Sequence, residues 1–203
     1  LENINLSKKE MFDLATHIEI NVLSKPIGKQ DHIPAVYGGL TYSVYKKNDT
    51  VKIKKLDQKF LKIPMKIFWT NKTREAHQLL KIQKNNFVSN YKNLVLIKNI
   101  SDTFCKKIFK KNSLSLRGLI NAVNDSWSLK KSLNSQISFS IADKFIDYVK
   151  KESFGAKILG AGGGGFILVL GNLNKFKIRK KYKIMINETV TISKEGSKIL
   201  IAK

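Results

Sequence analysis

Gly162, Gly163, Gly164 and Gly165 follow one another directly, preceded by Gly160 and Ala161. Such a run adds no packing area, and ordering it loses more backbone entropy than any other composition. Its physical use is a main chain that takes positive φ and brings successive N–H groups up to a bulky anion. Apolar, strand-like segments flank it, Ile158-Leu159 before and Phe166 to Leu170 after, so it reads as a pinned loop and not as a linker. Composition and spacing go no further than a glycine loop able to approach a ligand.

A second group of residues lies upstream. Gly28-Lys29-Gln30-Asp31-His32 makes a polar loop after Pro26 and before Gly38-Gly39. Asp31 has the chemistry of a proton acceptor, and a nearby cation such as Lys29 would keep its carboxylate ionised. The residues by themselves favour a plainer reading, a loop aspartate in an Asx-turn. Glu19, taken by itself, reads as a surface glutamate on a helix. His17 and His32 have no partners at metal-ligand spacing and read as loop or packing residues. Cys105 is the single cysteine, which excludes an intrachain disulfide; it reads as a small residue on an apolar helix face.

The elements that position these residues follow from periodicity. Ser7 and Glu10 form an S-x-x-E capping box ahead of Met11, Leu14, Ala15, Ile18 and Val22, predicting a helix over about 7–23. Leu40–Tyr45 and Val51–Leu56 alternate as strands around the Asn48-Asp49 turn. Lys66–Thr70 is a short strand, followed by a helix from Thr73 or Arg74 to about Lys84. Helical spacing then recurs over 87–111, 113–131 and 140–153. Strands at Ala156–Ile158 and Phe166–Leu170 enclose the glycine loop, the second read as buried on both faces. A basic helix near 174–184 and strands at 188–193 and 198–202 close the chain. Two domains are expected, 1–64 and 65–203, in an α+β architecture.

The 203 residues carry a formal charge of +23, which suggests nucleic acid or an anionic surface. Of the 38 basic residues, however, all but Arg74, Arg117 and Arg179 are lysines, spread along the chain among Asn and Ile. Base and phosphate readers favour the arginine fork. The expectation is a solvated basic surface with no specific nucleic-acid site. No segment has the apolar length of a membrane span and the first residues lack a secretory pattern, so a cytoplasmic protein is expected.

Lys157-Ile158-Leu159-Gly160-Ala161-Gly162-Gly163-Gly164-Gly165-Phe166 resembles the third motif of the GHMP kinases, K-x-x-G-A-G-G-G-G-[CF]. Trp127-Ser128-Leu129-Lys130-Lys131-Ser132-Leu133 through Ile137-Ser138 is similar to the W-x-L-K-K-x-L-S-x-x-I-S pattern of heptose 7-phosphate kinases. Ile67-Phe68-Trp69-Thr70 with Arg74 and Ala76 resembles their Y-T-G-x-x-R-x-A segment, with Asn71 in place of the glycine. The resemblance implies the C-terminal part of a two-domain kinase fold, a partial N-terminal domain followed by a ferredoxin-like one. It implies ATP and Mg²⁺ as cofactors and a sugar phosphate as partner, with galactokinase- or fucokinase-like acceptors as the nearest alternatives. A non-catalytic basic module is the other alternative.

By the same resemblance Gly160, Ala161 and Gly162–Gly165 lie beside the nucleotide phosphates. Asp31, in a segment similar to G-x-x-D, is the base, with Lys29 and Gln30 beside the substrate. Glu19, twelve positions earlier, holds Mg²⁺. Arg74, Lys130 and Lys131 meet the sugar or its phosphate as charge-assisted donors. Adjacent helical positions diverge by about 100°, so one of Lys130 and Lys131 is expected to face solvent. The family's G-L-G-S-S-[SA] loop and its first motif are absent, and the chain does not begin with Met. The expectation is a chain that starts partway into a longer kinase and has little activity alone.

Overall fold

A computed structural model describes residues 6–73, 76–173, 176, 178–182 and 185–198. The chain divides into two compact units, one formed by residues 6–62 with 192–198 and the other by Ile63–Thr191.

In the first unit α1 (Lys8–His17) begins on the expected box: the Ser7 N–H donates to Glu10 Oε2 at 2.8 Å, and the Glu10 N–H donates to Ser7 Oγ at 3.3 Å. The Ser7 hydroxyl and amide hold the Glu10 carboxyl below its ordinary pKa. The helix continues past His17 as a π-helical turn over Ile18–Val22, closed by the Leu23 N–H on the Ile18 carbonyl at 2.9 Å. A further helix, α2 (His32–Tyr37), replaces the second half of the expected polar loop. Six residues are too few to show a helical period, and Pro34 is tolerated because the first-turn N–H groups have no intrahelical acceptor anyway. Ile33 and Val36 of α2 pack with Phe12 of α1 as the unit's buried cluster. Strands β1 (Thr41–Tyr45) and β2 (Val51–Lys55) pair antiparallel from Thr41↔Lys55 to Tyr45↔Val51, as the alternation predicted.

The second unit is built on an antiparallel sheet ordered β4-β5-β3-β6: Gly155–Ile158, Phe166–Leu170, Met65–Trp69 and Asn187–Thr189. The chain runs from β3 through α3 (Ala76–Asn85), α4 (Phe87–Lys111), α5 (Leu116–Ser132) and α6 (Ser140–Lys151) before returning to β4. Phe68, Trp127, Ile137, Phe145, Val149, Ile158, Ile167 and Val169 form the core between sheet and helices. On the β4 edge Asn124 of α5 occupies the free backbone positions. Its Oδ1 accepts from the Ala156 N–H at 3.0 Å and its Nδ2 donates to the Phe154 carbonyl at 3.2 Å.

Four expectations change. β5 is buried at Ile167, Val169 and Leu170 but not throughout: Phe166, at the end that meets the glycine loop, is exposed and Leu168 is half-buried. In the segment read as a basic helix near 174–184, the described residues hold only a 3-10 turn at Lys180–Tyr182. The strand expected at 188–193 is confined to Asn187–Thr189, since the chain leaves the sheet after the Val190 N–H meets the Met65 carbonyl at 3.3 Å. The strand expected at 198–202 lies outside the described residues apart from Lys198. Residues 192–198, read as part of the C-terminal domain, pack with the first unit. There the Gly39 N–H donates to the Ser193 carbonyl and the Ser197 N–H to the Ala35 carbonyl, both at 2.7 Å.

Candidate functional site

The glycine run joins β4 to β5, and the two strands close its neck: the Leu159 N–H donates to the Phe166 carbonyl at 2.8 Å. Gly160, Gly162, Gly163 and Gly165 have φ of 63°, 100°, 76° and 80°, the left-handed region that side chains oppose. The loop is anchored from two other segments. The Gly163 N–H donates to the Ile137 carbonyl at 2.7 Å, and the Gly165 N–H to the Lys72 carbonyl at 2.8 Å. Closeness explains two of the glycines: a Cβ on Gly162 would lie 2.6 Å from the Ile137 oxygen, and one on Gly164 would lie 2.5 Å from the Lys72 oxygen.

These anchors divide the loop. Two of its N–H groups are committed to protein carbonyls and do not point to a ligand. Among the described residues, the N–H groups of Gly160, Ala161, Gly162 and Gly164 have no protein acceptor. The space beside Gly160 and Gly165 is open to at least 4 Å. The arrangement offers an anion a partial cradle, chiefly along Gly160–Gly162.

Lys130 and Lys131 separate as their helical positions require. The Lys130 ammonium bonds the Gly160 carbonyl, which puts a positive charge against the start of the loop. Lys131 turns away to Asp143, 3.1 Å from Oδ1, an oxygen that also accepts from the Ser138 hydroxyl at 2.8 Å. Lys72 places its ammonium 4.5 Å from the centre of the Phe139 ring. Trp127 is buried in the core. Arg74 lies outside the described residues.

Asp31 occupies the N-cap position of α2 yet makes no side-chain hydrogen bond to that helix, and it and Gln30 are exposed. Lys29 is engaged elsewhere, with its ammonium 2.7 Å from Asp49 Oδ2 in the β1–β2 turn. Tyr45 feels the Asp31 charge: burial first, then that carboxylate, push its phenol above the ordinary pKa. Glu19 sits in the π-helical turn with Oε1 3.2 Å from Lys25 Nζ and Oε2 3.1 Å from His32 Nε2. The Lys25 hydrogen bond above all, with a smaller contribution from His32, holds the Glu19 carboxyl below its usual range.

Mg²⁺ does not fit this donor set. Both Glu19 oxygens face cationic or potentially cationic nitrogens, and among the described residues no cluster of three acidic, His or Cys side chains gathers anywhere. Mg²⁺ takes one or two carboxylates with waters and phosphate oxygens, so the misfit lies in the two engaged Glu19 oxygens and not in the number of protein ligands. The sequence reading missed both the Glu19–His32 contact and Thr70. The hydroxyl of Thr70, which is 7% exposed, donates to the Gly165 carbonyl at 2.7 Å. Its position in the Ile67–Thr70 segment was the available signal.

No family model matches the sequence, and no curated protein matches it in sequence. Solved structures do match. The chain is similar to the Lactococcus lactis galactokinase complexed with galactose, at TM-score 0.69 and 16% identity over 98% of this chain and 62% of that one. It is similar to the Streptococcus pneumoniae phosphomevalonate kinase in complex with phosphomevalonate and AMPPNP, at TM-score 0.69 and 14% identity over 83% and 55%. The Methanococcus jannaschii mevalonate kinase matches at TM-score 0.64 and 21% identity over 94% and 58%. The fold is therefore the α+β fold of the GHMP kinases, in its C-terminal portion. The chain spans about 60% of the length of the structures it matches.

Proposed function

We propose that this chain is the C-terminal part of an ATP-dependent kinase acting on a sugar phosphate, with heptose 7-phosphate as acceptor and the 1,7-bisphosphate as product. The supporting observation is the anchored glycine loop between β4 and β5, with its left-handed glycines and the Lys130 charge, in a fold shared with kinases of galactose and mevalonate. In this reading the anomeric hydroxyl oxygen attacks the γ-phosphorus of ATP, ADP leaves, and the hydroxyl proton passes to Asp31. Gly160–Gly162 and Gly164 donate N–H groups to phosphate oxygens, and Lys130 adds positive charge beside them. No step is assigned to Glu19 as a metal ligand. Arg74, Lys29, Gln30 and Lys131 belong to the proposed substrate side by resemblance alone. The shared fold does not select an acceptor; the Trp127-to-Ser138 segment is what favours heptose phosphate over galactose or fucose.

The test is turnover by the full-length protein that contains this chain, with ATP and a panel of heptose 7-phosphate, galactose, fucose and mevalonate, read by ³¹P NMR. Heptose phosphate giving the highest kcat/KM, with Asp31→Asn losing at least about 100-fold in kcat, is the expected result. Wild-type turnover by Asp31→Asn would remove Asp31 from its role.

A further inference from the structure

His32 is partly buried, its side chain 10% exposed and both ring nitrogens shut off from solvent, and neither nitrogen makes an aligned hydrogen bond among the described residues. Such a ring is costly to bury unless something polar faces it. The Glu19 carboxylate does: Oε2 is 3.1 Å from Nε2, a close contact off the line of a hydrogen bond. Glu19 reaches that place from the π-helical turn Ile18–Val22, a widened turn of the kind that marks functional sites. Lys25 braces the other carboxylate oxygen at 3.2 Å, and its own N–H donates to the Glu19 carbonyl at 3.0 Å.

His32 is the first residue of α2 and follows Asp31 directly. Farther along, Ile33 and Val36 fix the helix against Phe12. The Asp31 carboxylate itself is left unbonded to the helix. We infer that Glu19 and His32 form a clamp that positions Asp31, and that Glu19 is a positioning residue and not a cation ligand. The inference rests on the reading of Asp31 as the base. Lys25 holds Glu19, Glu19 faces His32, and the start of α2 sets the backbone from which Asp31 projects.

Two experiments test it, one without catalysis. In thermal denaturation of this chain, Glu19→Gln, His32→Gln and the double variant form a cycle. Coupled residues give a double variant no less stable than the worse single one, and strictly additive Tm losses would overturn the clamp. Titrating Mg²⁺ into the chain while following the His32 ring signals by NMR is expected to leave them unmoved. A saturable shift that Glu19→Gln abolishes would restore the metal-ligand role and sink the inference.

In the full-length protein, each single variant is expected to lower kcat about tenfold with KM for ATP unchanged, and the double variant to fall no further. A change in the Mg²⁺ dependence of Glu19→Gln alone would count against positioning. Asp31→Asn is assayed in parallel. If it keeps wild-type turnover, the assignment of the base fails; if it is inactive while Glu19→Gln and His32→Gln keep full kcat, the clamp alone fails.

Discussion

Thr70 donates twice to one acceptor, its N–H at 3.0 Å and its hydroxyl at 2.7 Å both reaching the carbonyl of Gly165. The Gly165 N–H in turn donates to the Lys72 carbonyl. The last glycine of the loop is thereby tied to the end of β3 by side chain and main chain together.

Thr70→Val keeps the shape and removes the hydroxyl at a buried position, so a loss of about 1–2 kcal/mol is expected in urea unfolding. Thr70→Ser should retain most of the stability. The sharper readout is amide hydrogen exchange: the Gly165 and Gly163 amides should exchange faster in Thr70→Val, with those of β4 unchanged.

The glycines of the loop should not be equivalent. Gly162→Ala meets both a φ of 100° and the Ile137 oxygen at 2.6 Å; Gly164→Ala meets only the Lys72 oxygen at 2.5 Å; Gly160→Ala meets only a φ of 63° in open space. Gly162→Ala is therefore expected to be the most destabilising, by about 2–4 kcal/mol, and Gly160→Ala the least, by about 1 kcal/mol. Urea midpoints of the three variants check the ranking, and a Gly160→Ala loss equal to that of Gly162→Ala would contradict the anchoring.

What sequence could and could not show divides along local and non-local lines. The Ser7–Glu10 box, the helical spacing of α4 to α6 and the apolar segments β3 to β5 are local patterns, and each appears as an element close to its expected bounds. α2 escaped because a six-residue helix around Pro34 carries no period. The glycine run announced an anion-compatible loop, yet nothing in it indicates that Gly163 and Gly165 give their N–H groups to Ile137 and Lys72. Those acceptors are backbone carbonyls on distant segments, which carry no residue-type signal. The contact of Glu19 with His32 is hidden for the same reason, since a π-helical turn resets which side of a helix a residue faces.

Cys105 gives a prediction in pH. Burial first, and then the Asp102 carboxylate, push its thiol above the ordinary value, so at pH 8 a smaller fraction is thiolate than in a free cysteine. Its reaction with a disulfide reagent should be severalfold slower than that of a free thiol and should rise with pH beyond the point where the free thiol levels off. Asp102→Asn removes the second cause and should speed the reaction. That substitution also frees Lys98, now 2.8 Å from Asp102 Oδ2, which adds positive charge nearby and works in the same direction.

The tail crossing tests where residues 192–198 belong. A Cβ on Gly196 would lie 2.1 Å from the Val36 oxygen, and one on Gly38 would lie 2.3 Å from the Glu195 carbonyl carbon, so two backbones touch where only glycines fit. The Ser197 N–H and hydroxyl both donate to Ala35 in the middle of α2, and the Lys8 ammonium bonds the Ser197 carbonyl. The tail therefore grips the helix that begins beside Asp31. Gly196→Ala should cost about 1–3 kcal/mol by overpacking. The loss should be confined: the Gly39 and Ser197 amides should exchange faster, while those of β4 and β5 keep their protection. Faster exchange in β4 and β5 with Gly39 unaffected would instead tie the tail to the second unit. Because α2 is held from this side by the tail and at its start by Glu19, a proton-transfer role for Asp31 adds one more expectation: Gly196→Ala should lower kcat in the full-length protein without raising KM for ATP.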